Sequence, residues 1–436
     1  MVIKTQPFFI YSFLLTLIVG FTSELAFLGL YLVLYFLAFR RPLFMLLYFL
    51  LCGILNILNY EVLDLPSILL EPIFQMALAT YYLGFYILNG VQNIDSKIIM
   101  TLCLFALYLF FHGIIFSTMP ILSLLKAASF IFIGSSIFLV LSDLSATSRN
   151  HFLAIVFFSI LILMITSWMG YFSDFGYEVN GTGFQGILNH PQAMGIFAGA
   201  VFMFSVYLLT LNNEKFANIL ILAVLASAII FIFLSESRTG LLMAIMPFSL
   251  VTLYLISQLF TKKSNILLLI IIFLIIILGI YFFKEELIAY LIKGSRAHNF
   301  SDTVIHSRGP LFLIMWNNIL SSPFVGIGFG VPSDTLFYNS DNITSVGGIV
   351  ISHPTEKGIM YFAVLEEIGV FGFIIFLSLL FFLLIAQVAK NLYGAMLALS
   401  ILASNITEAT FFAFGGAGLM FFIFFVIGVT SLKKIN

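Results

Sequence analysis

The sequence predicts an all-α, polytopic integral membrane protein, and three observations lead there. Of its 436 residues, 62% are hydrophobic and only 8% charged, whereas a soluble domain carries about 25% charged residues. Apolar runs close to the ~20 residues that span a bilayer recur along the chain. The basic residues alternate from one side of those runs to the other, as they do across membranes. Lipid offers no partner for open backbone groups, so the spans must be helices.

Taken in order, the runs are 7–22, 25–39, 43–58, 73–88, 98–116, 121–141, 152–172, 193–211, 219–234, 241–260, 266–283, 359–388, 391–405 and 411–430. The first two and the thirteenth are short, and either member of the opening hairpin also suits a re-entrant segment, so the expectation is 12–14 transmembrane helices. No small-residue cleavage site follows the first run, which reads as a span and not as a removed leader. With the N-terminus inside, Lys4, Arg40, Arg41, Lys97, Arg149, Lys215, Lys262, Lys263, Lys390, Lys433 and Lys434 all fall on the cytoplasmic side, eleven of the eighteen basic residues. The short outer loops carry only Arg238. Both termini are therefore expected to be cytoplasmic. Lys126, near the outer end of the sixth run, is expected to snorkel to the interface.

The chain reads as a single polytopic membrane domain over 1–436, with one large extracytoplasmic loop at 284–358. A short helix is expected at 284–292, then a linker over 293–307. Pro310 suits the first turn of a second helix that stops before Pro323. Gly326, Gly328 and Gly330 make the next stretch a loop. A long helix is expected from Thr355 to Ala389, rising above the outer surface. Trp168 fits an interfacial belt and Trp316 the buried face of the loop helix. Cys52 and Cys103 lie inside apolar runs, so neither a disulfide nor a thiolate metal site is expected. No basic stripe supports a nucleic-acid partner.

Three outer-face residues carry the chemistry. Arg238 lies in Ser235-Glu236-Ser237-Arg238-Thr239-Gly240, Arg308 in His306-Ser307-Arg308-Gly309-Pro310, and His353 in Ser352-His353-Pro354. The arginine fork pairs two phosphate oxygens at once. Histidine is the commonest general base near neutral pH. The blander readings are an ion pair with Glu236 or a lipid anchor for Arg238, local capping for Arg308, and an ordinary loop histidine for His353. His190 and Gln192, in Asn189-His190-Pro191-Gln192, suit substrate contact or a plain turn. Glu366 and Glu367 suit a cavity wall or the interface, and His112 and Glu408 suit structure. No carboxylate cluster has metal spacing.

These motifs resemble the O-antigen polymerase and O-antigen ligase superfamily of bacterial membrane glycosyltransferases. The resemblance rests on the Ser-x-Ser-Arg-Thr-Gly turn at 235–240, on Arg308 with a helix and then Pro323-Phe324-Val325-Gly326-Ile327-Gly328-Phe329-Gly330, and on His353 ahead of Leu365-Glu366-Glu367-Ile368-Gly369-Val370-Phe371-Gly372. Asn189-His190-Pro191-Gln192 adds a smaller signature. It covers roughly 180–390; the N-terminal third matches only in hydropathy. Pro354 stands where the family usually has Asn, and extra residues separate His353 from Glu367. The base is thus His353 or an outer-face carboxylate such as Glu356.

The resemblance implies transfer of a glycan from an undecaprenyl diphosphate carrier to an acceptor hydroxyl, with no cofactor and no metal. Arg238, Arg308 and His353 would be catalytic; Arg238, Arg308, His190, Gln192 and Glu367 would bind substrate. It implies the bacterial cytoplasmic (inner) membrane, an extracytoplasmic active site, and a chain-length regulator and a flippase as further partners beside the lipid bilayer. A polymerase is the expectation; a ligase acting on lipid A core is the alternative, and a transporter of lipid-linked sugars is the alternative of another class.

Overall fold

The computed structural model describes residues 24–59, 71–90, 96–177, 183–248, 300–334, 344–346, 349–352, 357–414 and 417–430. The expected spans 7–22 and 266–283, most of 241–260 and the expected helix 284–292 lie outside these residues. The described helices are α1 (Glu24–Ala38), α2 (Pro42–Leu55), α3 (Glu71–Asn89), α4 (Ser96–Ile115), α5 (Pro120–Ser129), α6 (Ser135–Asp143), α7 (Ala146–Tyr171), α8 (Pro191–Leu211), α9 (Lys215–Leu234), α10 (Arg238–Ile245), α11 (Phe300–Ser321), α12 (Met360–Lys390), α13 (Leu392–Ser404) and α14 (Gly418–Val429). Among the described residues, six apolar stretches are long enough to cross a membrane, and shorter apolar helices accompany them. The chain is a multi-pass, all-α membrane protein.

Proline starts three helices, α2, α5 and α8. Its fixed φ suits a first turn, and its missing N–H would have no helical partner there. α5 and α6 form one span through a π-helical turn, Phe130–Gly134. That turn presents Phe130 to Phe329, Phe411, Phe412, Phe414 and Phe422. Small residues then let helices close up. A Cβ on Gly195 of α8 would collide with Ser237, and one on Gly240 of α10 would collide with the Gly195 carbonyl. At the opposite end of the bundle Arg149 is buried, donating from Nη2 to Thr430 Oγ1 at 3.0 Å.

Three expectations are corrected. The helix read from Pro310 already runs from Phe300, so Arg308 lies within α11 and residues 300–307 are not linker. Proline within a helix loses its own amide bond and crowds the carbonyl four residues before it, a cost that the packing of the rest of the helix can offset. The long helix begins at Met360 and is broken at Gly369 (φ 62°, ψ −174°), so it is not one straight rod. Trp316 is 42% exposed, because Met315 and Ile319 supply the buried face of α11. The loop also contains strands: β1 (Thr344–Val346) pairs antiparallel with β2 (Ile349–Ser352). Gly347-Gly348 between β-branched residues is the hairpin signal in the sequence.

Candidate active site

Four turns of chain meet at one end of the bundle. The first is the Ser235–Gly240 motif. Ser237 caps α10 by accepting from the Gly240 amide, which places Arg238 at the helix's first residue. Glu236 holds φ 51° to make the turn. Gly240 then lets α10 close on α8, so the motif's serine and glycine are accounted for by capping and packing.

The second turn is Asn189–Gln192. His190 caps α8, its Nδ1 accepting from the Gln192 amide at 3.1 Å. This leaves the Gln192 side chain to donate to Glu408. The third turn is the loop after α13. Thr407 shares a hydroxyl hydrogen bond with Thr239 at 2.6 Å, beside Arg238. Asn405 holds that loop, its Oδ1 accepting from the Thr410 and Phe411 amides. The fourth is the entrance to α12, where the Met360 amide donates to the Asn405 carbonyl at 3.1 Å. The chain leaving His353 is thereby tied to the loop that touches Thr239 and Gln192. His353 and Glu356 lie outside the described residues, and for Arg308 only its place in α11 is described.

A second set of contacts surrounds the break in α12. The residues before Gly369 lose their helical partners, and the Pro323–Gly330 loop supplies replacements. Ile327 and Gly328 donate to the carbonyls of Glu366 and Glu367, each at 2.9 Å. Tyr108 Oη donates to the Ile368 carbonyl at 2.7 Å. Beyond the break, Val370 and Phe371 donate to Pro323 and Phe324. A side chain at Gly369 would strike Phe324. The two glycine-rich motifs are therefore halves of one joint.

Two carboxylates are buried in that joint. Glu366 is 0% exposed and Lys357 only 3%. Lys357 Nζ lies 2.9 Å from Glu366 Oε2 and 3.0 Å from Glu367 Oε1. Glu366 also accepts from Asn318 Nδ2 of α11 at 2.7 Å and from Ser333 Oγ at 2.9 Å. Glu367 accepts from the Gly330 amide at 2.6 Å. Burial alone would lower the Lys357 pKa; the charges of Glu367 and Glu366 outweigh it and hold the ammonium above its ordinary value. Lys126 runs along Gly330 toward Glu367 and Lys357, so it turns inward and does not snorkel to lipid. Lys357 went unnoticed in the sequence because its nine-residue distance from Glu366, across Gly358, belongs to no regular spacing.

The structure thus brings Arg238, His190, Gln192 and Glu408 to one end, with the segment after His353. Glu367 sits in the neighbouring joint, and Asn318 ties α11, the helix of Arg308, to Glu366.

Residues 221–377 match the model of the O-antigen ligase family. That stretch contains Arg238, Arg308, His353 and the joint of α12. No curated protein matches the chain.

Proposed function

We propose that this chain, whose residues 221–377 match the model of the O-antigen ligase family, moves a glycan from undecaprenyl diphosphate to an acceptor hydroxyl at the extracytoplasmic face of the bacterial inner membrane. Glycosyl transfer by a membrane enzyme is the level the family match supports. The observation that carries the finer reading is the chain of contacts from Thr239 through Thr407 and Asn405 to Met360. It sets the Arg238 turn and the segment after His353 at one end of the bundle.

In this reading Arg238 and Arg308 hold the diphosphate. Their charges stabilise the negative charge that grows on the departing carrier, the task a cation performs in other phosphate-releasing sites. His353 accepts the proton of the attacking hydroxyl, with Glu356 the alternative base. The acceptor oxygen bonds to the anomeric carbon as the bond to the diphosphate breaks. Gln192 and Glu408 suit sugar hydroxyls, and Glu367 holds the joint. No cofactor is needed. Polymerisation on a second lipid-linked unit is favoured over ligation to lipid A core, and a flippase and a chain-length regulator would act beside it. The break in α12 lies near the end that carries the site, which suits an interfacial enzyme better than a transporter with a broken helix at mid-membrane.

Reconstitution with synthetic undecaprenyl diphosphate repeat units tests this. A ladder of products supports the polymerase. A single transfer that requires lipid A core would make it a ligase. Movement of intact donor between leaflets without transfer would make it a transporter.

A further inference from the structure

α11 falls within the stretch expected to be an extracytoplasmic loop, yet the exposed side over 311–321 is mostly apolar, with Asn317 and Ser321 at its edge. Leu313 and Leu320 are 61% and 62% exposed, and Phe312 and Trp316 share that side. The other side is in use: Met315 and Ile319 are buried, and Asn318 donates to Glu366. A helix apolar on both sides belongs in a protein core or in lipid.

The exposed surface does not stop at the helix. Phe324 stacks on Phe371 of α12, ring centroids 5.7 Å apart, and both rings are exposed. Phe371 opens the outward row Phe371, Ile374, Phe381 and Ile385 along a helix long and apolar enough to cross the membrane. The apolar face of α11 is therefore continuous with a lipid-facing one. Depth follows from length. About 20 residues cross the hydrocarbon core, and counting them back from Lys390, the other end of α12, reaches Phe371. Phe324 and the end of α11 stand at that edge, where tryptophan is enriched in membrane proteins.

We propose that α11 lies along the leaflet on the side of the site, at the boundary of headgroups and acyl chains, with Phe312, Leu313, Trp316 and Leu320 against lipid. Arg308 sits one turn before Phe312 on the same helix. Resting on the function proposed above, this carries Arg308 at the depth of a lipid-linked diphosphate, so the donor meets it without leaving the membrane.

The chain has two tryptophans, Trp168 and Trp316, so Trp168→Phe isolates the emission of Trp316. The variant is reconstituted in phosphatidylcholine vesicles with bromines at shallow or deep acyl positions. Shallow bromines should quench Trp316 more than deep ones, and aqueous acrylamide should quench it weakly. Strong quenching by acrylamide with none by brominated lipid would place the helix in water and overturn the proposal. Quenching by neither would mean cover by protein, such as a second copy, and would overturn it equally. Because Trp168 Nε1 donates to Ser227 Oγ, a second variant, Trp168→His, which is non-fluorescent and keeps a ring N–H donor, repeats the reading of Trp316. None of these outcomes depends on transfer activity, so failure here and failure of the function are told apart.

Discussion

Arg238 owes its place to its neighbours: Ser237 caps the helix it begins, and Thr239 bonds to Thr407. Arg238→Lys keeps the charge but loses the fork. Its expected effect in the reconstituted assay is a rate loss of about 10-fold or more, the scale of one charge-assisted hydrogen bond, with the same for Arg308→Lys; wild-type rates in both would remove them from the diphosphate site. His353→Ala should slow transfer about 10²-fold or more, the usual scale for a general base. A rate within a few-fold of wild type, with Glu356→Gln inactive, would transfer the role to that carboxylate. Lys357 belongs to stability. Its removal leaves Glu366 and Glu367 buried without their cation, so Lys357→Met should cost about 3–5 kcal/mol, read by thermal unfolding in detergent, and adding Glu366→Gln with Glu367→Gln should recover most of it. The Lys357 pKa is raised, so its contribution is complete below the ordinary lysine value and is lost only as pH rises through the raised one; wild-type unfolding should show this loss in strongly alkaline buffer and the triple variant should not. Arg238 and Gln192 were legible as polar residues in short turns between apolar runs. Lys357 was not, since burial of its charge depends on a kink and a loop that no local pattern announces.

At the scale of elements, the joint between α12 and the Pro323–Gly330 loop is held by amide-to-carbonyl bonds on both sides of Gly369. Gly369 and Gly326 both have positive φ, at 62° and 73°, and at each a Cβ would meet the backbone of the other half. Gly369→Ala therefore carries a strained backbone, about 1–3 kcal/mol, and forces the loop away as well. The expected result is a lower unfolding temperature with faster hydrogen exchange at Ile327 and Gly328. Unchanged exchange at those two amides would show that the loop is held by Phe329 and its aromatic neighbours instead. The helices were legible because apolar runs, prolines and serine caps are local signals. The break was not, because glycine inside an apolar run is common in membrane helices, and only the loop docked against it shows why this one has φ above zero. Likewise α11 could be read only from Pro310 onward, where its composition turns apolar, although the helix begins at Phe300.

For the whole molecule, hydropathy carries the count of spans, whereas the meeting of the motif turns comes from tertiary packing such as Gly195 against Gly240, which no single segment encodes. Orientation is a separate question, and the basic residues give an expectation for it. The end that holds Arg238, Gln192 and the α12 joint is opposite the end where Arg149 meets Thr430, and Arg40, Arg41, Lys97, Lys215 and Lys390 fall with Arg149 at that opposite end by the alternation of spans. Short-loop lysines and arginines stay in the cytoplasm, so the site should face outward and both termini inward. Two cysteines must first be dealt with: Cys52 is buried and Cys103 exposed, and Cys103→Ser clears the background. In that setting Asn342→Cys in the large loop should react with a membrane-impermeant maleimide added to spheroplasts, and Ser264→Cys should react only after lysis. Reaction of the Ser264→Cys variant before lysis, with Asn342→Cys silent, would invert the protein in the membrane and turn the site to the cytoplasm. Reaction of both from outside would instead require an even number of spans between them, and the count over 266–283 would have to change.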